Sequence, residues 1–161
     1  MQRDNKNYLE ILRDSLVKKV SILDKISEQN EIQLKLAKQE TFDYDRFGQT
    51  LDEKDQLIAE LNRLDDGFQS VYDRIKEVLT SEPERYREEI GQMQTLISTI
   101  TEKSMDVMAE ENRNRDVIMN RKDNLKKEIG MARASNKVAA GYYKTMSKIN
   151  VMDSQFIDAK K

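Results

Sequence analysis

The chain has no cysteine, no histidine and no tryptophan among its 161 residues, and a single proline, Pro83. Without cysteine there is no disulfide, no thiolate nucleophile and no thiolate metal site. Without histidine there is no Ser-His-Asp triad and no imidazole base or ligand. Carboxylates and lysines remain for acid–base chemistry. They need a concave, desolvated pocket to shift their pKa values, and thin helical assemblies rarely form one. The expectation is a non-enzyme with no cofactor and no metal. A surplus of one charge is missing too: 28 Lys and Arg stand against 30 Asp and Glu, for a net charge of −2. A general nucleic-acid binder needs a basic excess, so nucleic acid is not an expected partner. No apolar run approaches the ~18 residues needed to cross a bilayer, so no membrane insertion is expected. The start, Met1-Gln2-Arg3-Asp4-Asn5-Lys6-Asn7, is polar and lacks the apolar centre of a secretory signal. A cytoplasmic location is therefore expected.

Charged residues make up 36% of the chain and hydrophobic ones 37%. That balance suits helices sharing a narrow seam better than a wide globular core. The clearest seam lies at alternating steps of three and four: Tyr44, Phe47, Leu51, Lys54, Ile58, Leu61, Asp65, Phe68, Tyr72, Ile75 and Leu79. Only Lys54 and Asp65 break it. Such a stripe along one side of a helix requires a partner helix.

The fold expected is all-α, an elongated antiparallel three-helix bundle or coiled coil. Its third helix is overlong or broken, and a flexible C-terminal tail follows. Residues 1–134 form the bundle, with helices at about 4–38, 43–79 and 82–134, and residues 135–161 form the tail. In the first helix Leu9, Leu12, Leu16, Val20, Leu23 and Ile26 make the stripe, widened by Val17 and Ile22. Asn30 stands where the next seam residue belongs, and the pattern resumes off-register at Ile32, Leu34 and Leu36. The short link from Gln39 to Asp43 makes the first two helices antiparallel neighbours, with Thr41 or Asp43 as cap. The run from Asp43 to Gly48 has the outline of a calcium loop. It fails because Phe47 takes a ligand position and Lys54 stands where a glutamate would chelate. Ser81-Glu82-Pro83-Glu84 matches a capping box and predicts that helix two stops near Leu79 and helix three starts near Glu82. Gly67, Gly91 and Gly130 fall inside helices, where they permit close helix contact or bending.

The third helix reads Tyr86, Ile90, Met93, Ile97, Ile100, Ser104, Val107, Glu111, Asn114, Ile118, Arg121, Leu125, Glu128 and Ala132. Its seam turns polar over Glu-Glu-Asn-Arg-Asn-Arg-Asp at 110–116. At about 75 Å against about 54 Å for its neighbours, it either overhangs the bundle from about Asn112 or folds back. Seven of the eight methionines fall between Met93 and Met152. They either fill an irregular core or line a surface that accepts varied helical partners. In the tail, Gly141-Tyr142-Tyr143, Met152 and Phe156 are set among five lysines and two aspartates. That composition fits a frayed terminus or a docking segment. A partly filled groove beyond about Val107 would accept a client helix through Met105, Met108, Ile118, Met119, Leu125, Ile129 and Met131.

Three stretches carry a family resemblance. They are Tyr8-Leu9-Glu10-Ile11-Leu12, the helix Leu51-Asp52-Glu53-Lys54-Asp55-Gln56-Leu57-Ile58-Ala59-Glu60-Leu61-Asn62, and the ending Phe156-Ile157-Asp158-Ala159-Lys160-Lys161. With the long third helix between, the chain resembles the FlgN-type flagellar export chaperones of Gram-positive bacteria. The resemblance implies a cytoplasmic chaperone. It would bind the C-terminal amphipathic helices of hook–filament junction (hook-associated) proteins, keep them unassembled and deliver them to the type III export gate. It also implies a gate-docking tyrosine near the C-terminal end, for which Tyr142 and Tyr143 are the candidates. The alternative is a structural, self-associating coiled coil or adaptor with no client, forming a homodimer through the distal half of helix three.

Overall fold

Alternating apolar positions without helix breakers give three helices in the computed structural model, which describes residues 2–132 and the side chains of residues 3–124. They are α1, Gln2–Lys38; α2, Tyr44–Ser81; and α3, Arg87–Ala132. The helical bundle expected from the sequence is present, and no strand occurs among the described residues. The tail at 135–161 lies outside the described residues. α3 is continuous through the polar run 110–116, so of the two outcomes left open for it, overlong or broken, the break is the one that does not occur there.

The chain divides into two compact units, each holding parts of all three helices. Unit 1 comprises Met1–Ile26 and Gln56–Val107, and unit 2 comprises Ser27–Asp55 with the described part of Met108–Lys161.

In unit 1, Leu9, Leu12, Leu16 and Leu23 of α1 bury against Ile75 and Leu79 of α2 and against Met93 and Ile100 of α3, with Tyr86 at the entry to α3. Ile22, Ile26 and Leu57 make a second apolar cluster. α2 runs antiparallel to α1: Ile26 clusters with Leu57, Lys19 lies 2.5 Å from Asp65 and the Ser15 hydroxyl donates to the Leu64 carbonyl. α3 runs parallel to α1, since Asn5 donates to the Tyr86 hydroxyl and Lys103 lies 2.6 Å from Asp24. The hydrogen bond it donates to the Asp24 carboxylate holds the Lys103 ammonium pKa above its ordinary value.

The α2 seam departs from the expected one over this unit. Asp65 is exposed and ion-paired, and Tyr72 is 38% exposed. The expected Ile58, Leu61, Phe68 and Ile75 face the core, joined by Leu57, Leu64 and Val71 from the adjoining stripe. A helix with 3.6 residues per turn drifts against a strict 3.5 repeat, and apolar residues are available on the adjoining stripe to take over. In the same way Val17 and Ile97 are about half exposed, and Leu96 packs inward.

In unit 2, Leu36 and Ala37 of α1, Phe42 of the connection, Phe47 and Leu51 of α2 and Ile118 of α3 form the apolar core. Of the two expected candidates, Asp43 rather than Thr41 caps α2: its carboxylate accepts the Arg46 amide at 3.0 Å and its carbonyl accepts the Phe47 amide. This Asp43 therefore serves the helix end rather than a calcium loop, and Phe47 is core.

The second connection overturns the capping box. The Ser81 hydroxyl donates back to the Val78 carbonyl at 3.3 Å, and α2 continues to Ser81. α3 begins at Arg87, with the Tyr86 carbonyl accepting the Ile90 amide. Tyr86 is buried against the core of unit 1, so tertiary placement of its ring moves the helix start downstream of the local signal. At Gly67 and Gly91 the close helix contact, one of the two expected roles, is absent: a Cβ at either would meet nothing within 4 Å. No close approach requires them. Gly67→Ala and Gly91→Ala are each expected to raise stability by about 0.5–1 kcal/mol through helix propensity, read as a higher urea midpoint with unchanged slope.

Candidate functional site: a buried polar cluster and exposed methionines

The seam positions that break the apolar pattern meet in unit 2. α1 supplies Ser27, Asn30 and Gln33, α2 supplies Thr50 and Lys54, and α3 supplies Glu110, Glu111 and Asn114. Asn30, Gln33, Thr50, Lys54 and Asn114 are all no more than 1% exposed. Each helix carries them there because they occupy the three-and-four positions that leucine or isoleucine fills elsewhere.

A buried ammonium is tolerated only when paired. The Lys54 Nζ lies 2.8 Å from Glu111 Oε1 and donates to Gln33 Oε1 at 3.5 Å. Gln33 is the hub: its amide nitrogen donates to the Thr50 hydroxyl at 3.1 Å, and its oxygen also accepts from Asn114 at 3.4 Å. The Thr50 hydroxyl in turn donates to the Phe47 carbonyl. Asn114 donates to the Asn30 carbonyl at 2.8 Å. Glu110 accepts from the Ser27 hydroxyl at 2.9 Å and the Asn30 amide at 3.1 Å. Among the described residues, one buried side-chain atom has no hydrogen-bond partner in the protein, Asn30 Oδ1. The cluster spans all three helices, and the half-exposed Arg113 donates to Asn114 Oδ1 at 3.2 Å from its rim. Its bonds join one helix to another. Elsewhere, in unit 1, a hollow of about 210 Å³ is lined by Lys6, Glu10, Arg13, Glu88, Glu89 and Met93. Among the described residues no group of three acidic side chains is placed to hold a metal ion.

Further along unit 2, Arg121 donates to the carbonyls of Gln39 and Glu40 at 2.7 and 2.8 Å. Its guanidinium lies 5.8 Å from the centre of the Phe42 ring. This binds α3 to the carbonyls that follow the C-terminal end of α1. α3 then continues to Ala132.

The residues expected to take a client helix divide. Met105, in unit 1, is 65% exposed and Met108, in unit 2, is 51% exposed. Met119 is half-buried against the core of unit 2. Ile118 is fully buried, with Leu36, Phe47 and Leu51 in its cluster, so it is a core residue and presents no surface to a client. The side chains of Leu125, Ile129 and Met131 lie outside the described ones, and Tyr142 and Tyr143 lie outside the described residues altogether. Sequence reading noted Asn30, Lys54, Glu111 and Asn114 as seam breaks but missed their meeting. The signal was there: a lysine and a glutamate, both at seam positions, on helices that must pack together.

Lys54→Met is expected to destabilise by about 3 kcal/mol, because it leaves Glu111 buried and unpaired. The double change Lys54→Met with Glu111→Leu should recover most of that loss, and a double-mutant cycle in urea measures the coupling. No protein-family model matches the chain, and no curated protein or solved structure gives a significant match.

Proposed function

We propose that the chain works by binding an amphipathic helix of another protein, as an export chaperone. The observation that carries this reading is on α3, where Met105 and Met108 are each more than half exposed. Long, unbranched thioether side chains held out from a helix adapt to the ridges of a partner helix. Ile100 lies inside the core of unit 1 and Val107 packs against it, so this part of α3 is anchored on one side and offers methionine on another. On sequence grounds Met119, Leu125, Ile129 and Met131 also belong to the proposed contact, and Ile118, a core residue, is withdrawn from it.

The identity of the client rests on the resemblance of residues 8–12, 51–62 and 156–161 to the FlgN-type chaperones. On that basis the clients are the C-terminal helices of hook–filament junction proteins, held in the cytoplasm and passed to the type III export gate through Tyr142 or Tyr143. A client helix of that kind exposes an apolar stripe that would otherwise associate prematurely.

Titration of the full chain against a labelled peptide carrying a hook-associated protein's C-terminal helix tests the reading. Saturable one-to-one binding is expected, weakened at least tenfold by Met105→Glu and by Met108→Glu with the helical circular dichroism unchanged. Absence of binding, or equal binding by both variants, rejects it. A tight dimer in light scattering, with no peptide binding, selects the self-associating coiled coil instead.

A further inference from the structure

α3 is attached by different chemistry in the two units. In unit 1, Met93 and Ile100 of α3 are buried, and Ile90, Leu96 and Val107 pack against the same cluster. In unit 2, Ile118 is the only fully buried apolar side chain that α3 supplies among the described ones, flanked by the half-buried Val117 and Met119. The remaining attachments are polar. They run from Glu110 to Ser27 and Asn30, from Glu111 to Lys54, from Arg113 to Glu31, from Asn114 to Asn30 and Gln33, and from Arg121 to the Gln39 and Glu40 carbonyls.

Water treats these two kinds of attachment differently. Separating an apolar contact exposes surface that water solvates poorly. Separating Lys54 from Glu111 rehydrates two charges that were costly to bury, so much of the lost Coulomb energy is returned. Asn30 Oδ1, unpartnered within the protein, gains a hydrogen bond on the same event. Opening at this place therefore costs less than opening a comparable length of unit 1.

We propose that the α3 segment from Glu110 to Arg121 is a latch. It detaches from α1 and α2 as one piece while unit 1 stays folded, and the polar cluster sets how often it does so. When open, it uncovers Leu36, Phe42, Phe47 and Leu51, the apolar floor that Ile118 covers when closed. The opening needs no client.

Native-state hydrogen exchange on the full chain tests the latch. Amides from Glu110 to Arg121 are expected to exchange at least tenfold faster than those from Leu9 to Leu16, with a smaller dependence on low urea. Converting the cluster centre to apolar residues, Lys54→Met with Glu111→Leu and Asn114→Leu, should slow the α3 amides at least tenfold and leave Leu9 to Leu16 unchanged. Ile118→Ala, which removes the apolar contact, should speed the α3 amides alone. The latch is overturned if both segments of the natural chain exchange together with one urea dependence. It is equally overturned if Ile118→Ala speeds both segments alike, or if the apolar triple variant folds without slowing the α3 amides.

Discussion

An ammonium group placed in a helix seam dictates what must face it. Lys54 is 1% exposed, and its charge requires the Glu111 carboxylate on α3 and the Gln33 amide oxygen on α1 at the same level. Gln33 is then committed, and its amide nitrogen must find Thr50. Asn114 is drawn to Asn30 and Gln33. One charge thus fixes a side chain on each of the other two helices. Sliding a helix by one residue turns it by about 100° and leaves several buried polar groups unmet at once. Apolar side chains would tolerate such a slip far better. In unit 2 the register is therefore specified by hydrogen bonds, in the manner of a buried asparagine in a coiled coil.

Unit 1 is specified by shape. Its buried residues are leucine, isoleucine, methionine and one tyrosine. The surface ion pairs Lys19–Asp65 and Lys103–Asp24 and the short pair between Arg63 and Glu60 are half exposed or more on at least one partner. Such pairs contribute little, about 0–1 kcal/mol each. Stability in unit 1 comes from apolar area, and the seam is free to shift from Asp65 and Tyr72 to Leu64 and Val71 because the adjoining stripe carries suitable side chains. The same drift in unit 2 would bury the wrong polar atoms.

The three helices, their approximate ends and the Asp43 cap were legible in the sequence because they follow from local spacing and local hydrogen bonding. The capping box at Ser81 was also local, yet it lost to burial of Tyr86, which local spacing does not report. The polar cluster was legible in pieces. A heptad reading taken one helix at a time treats Asn30, Lys54 and Glu111 as three defects. Only the pairing of helices puts them at one level, where they become a single structure. Ile118 was misread for a related reason. The third helix is longer than the others, and its later apolar positions were counted as uncovered. The parallel register of α3 with α1 in unit 2, marked by Arg113 at Glu31 and Arg121 at Gln39, places Ile118 over Leu36 instead.

Methionine count alone separates none of these roles. Met93 is buried, Met119 packs against the core, and Met105 and Met108 stand out in solvent. What distinguishes them is the position each takes relative to the seam, and the seam is set by its least adaptable members. If stability alone were at issue, leucine at 54 and 111 would serve as well as or better than the ion pair. The pair instead gives a definite register together with an attachment that water can replace. A helix held that way is well positioned closed and inexpensive to release, and apolar packing of the same size supplies the first property without the second.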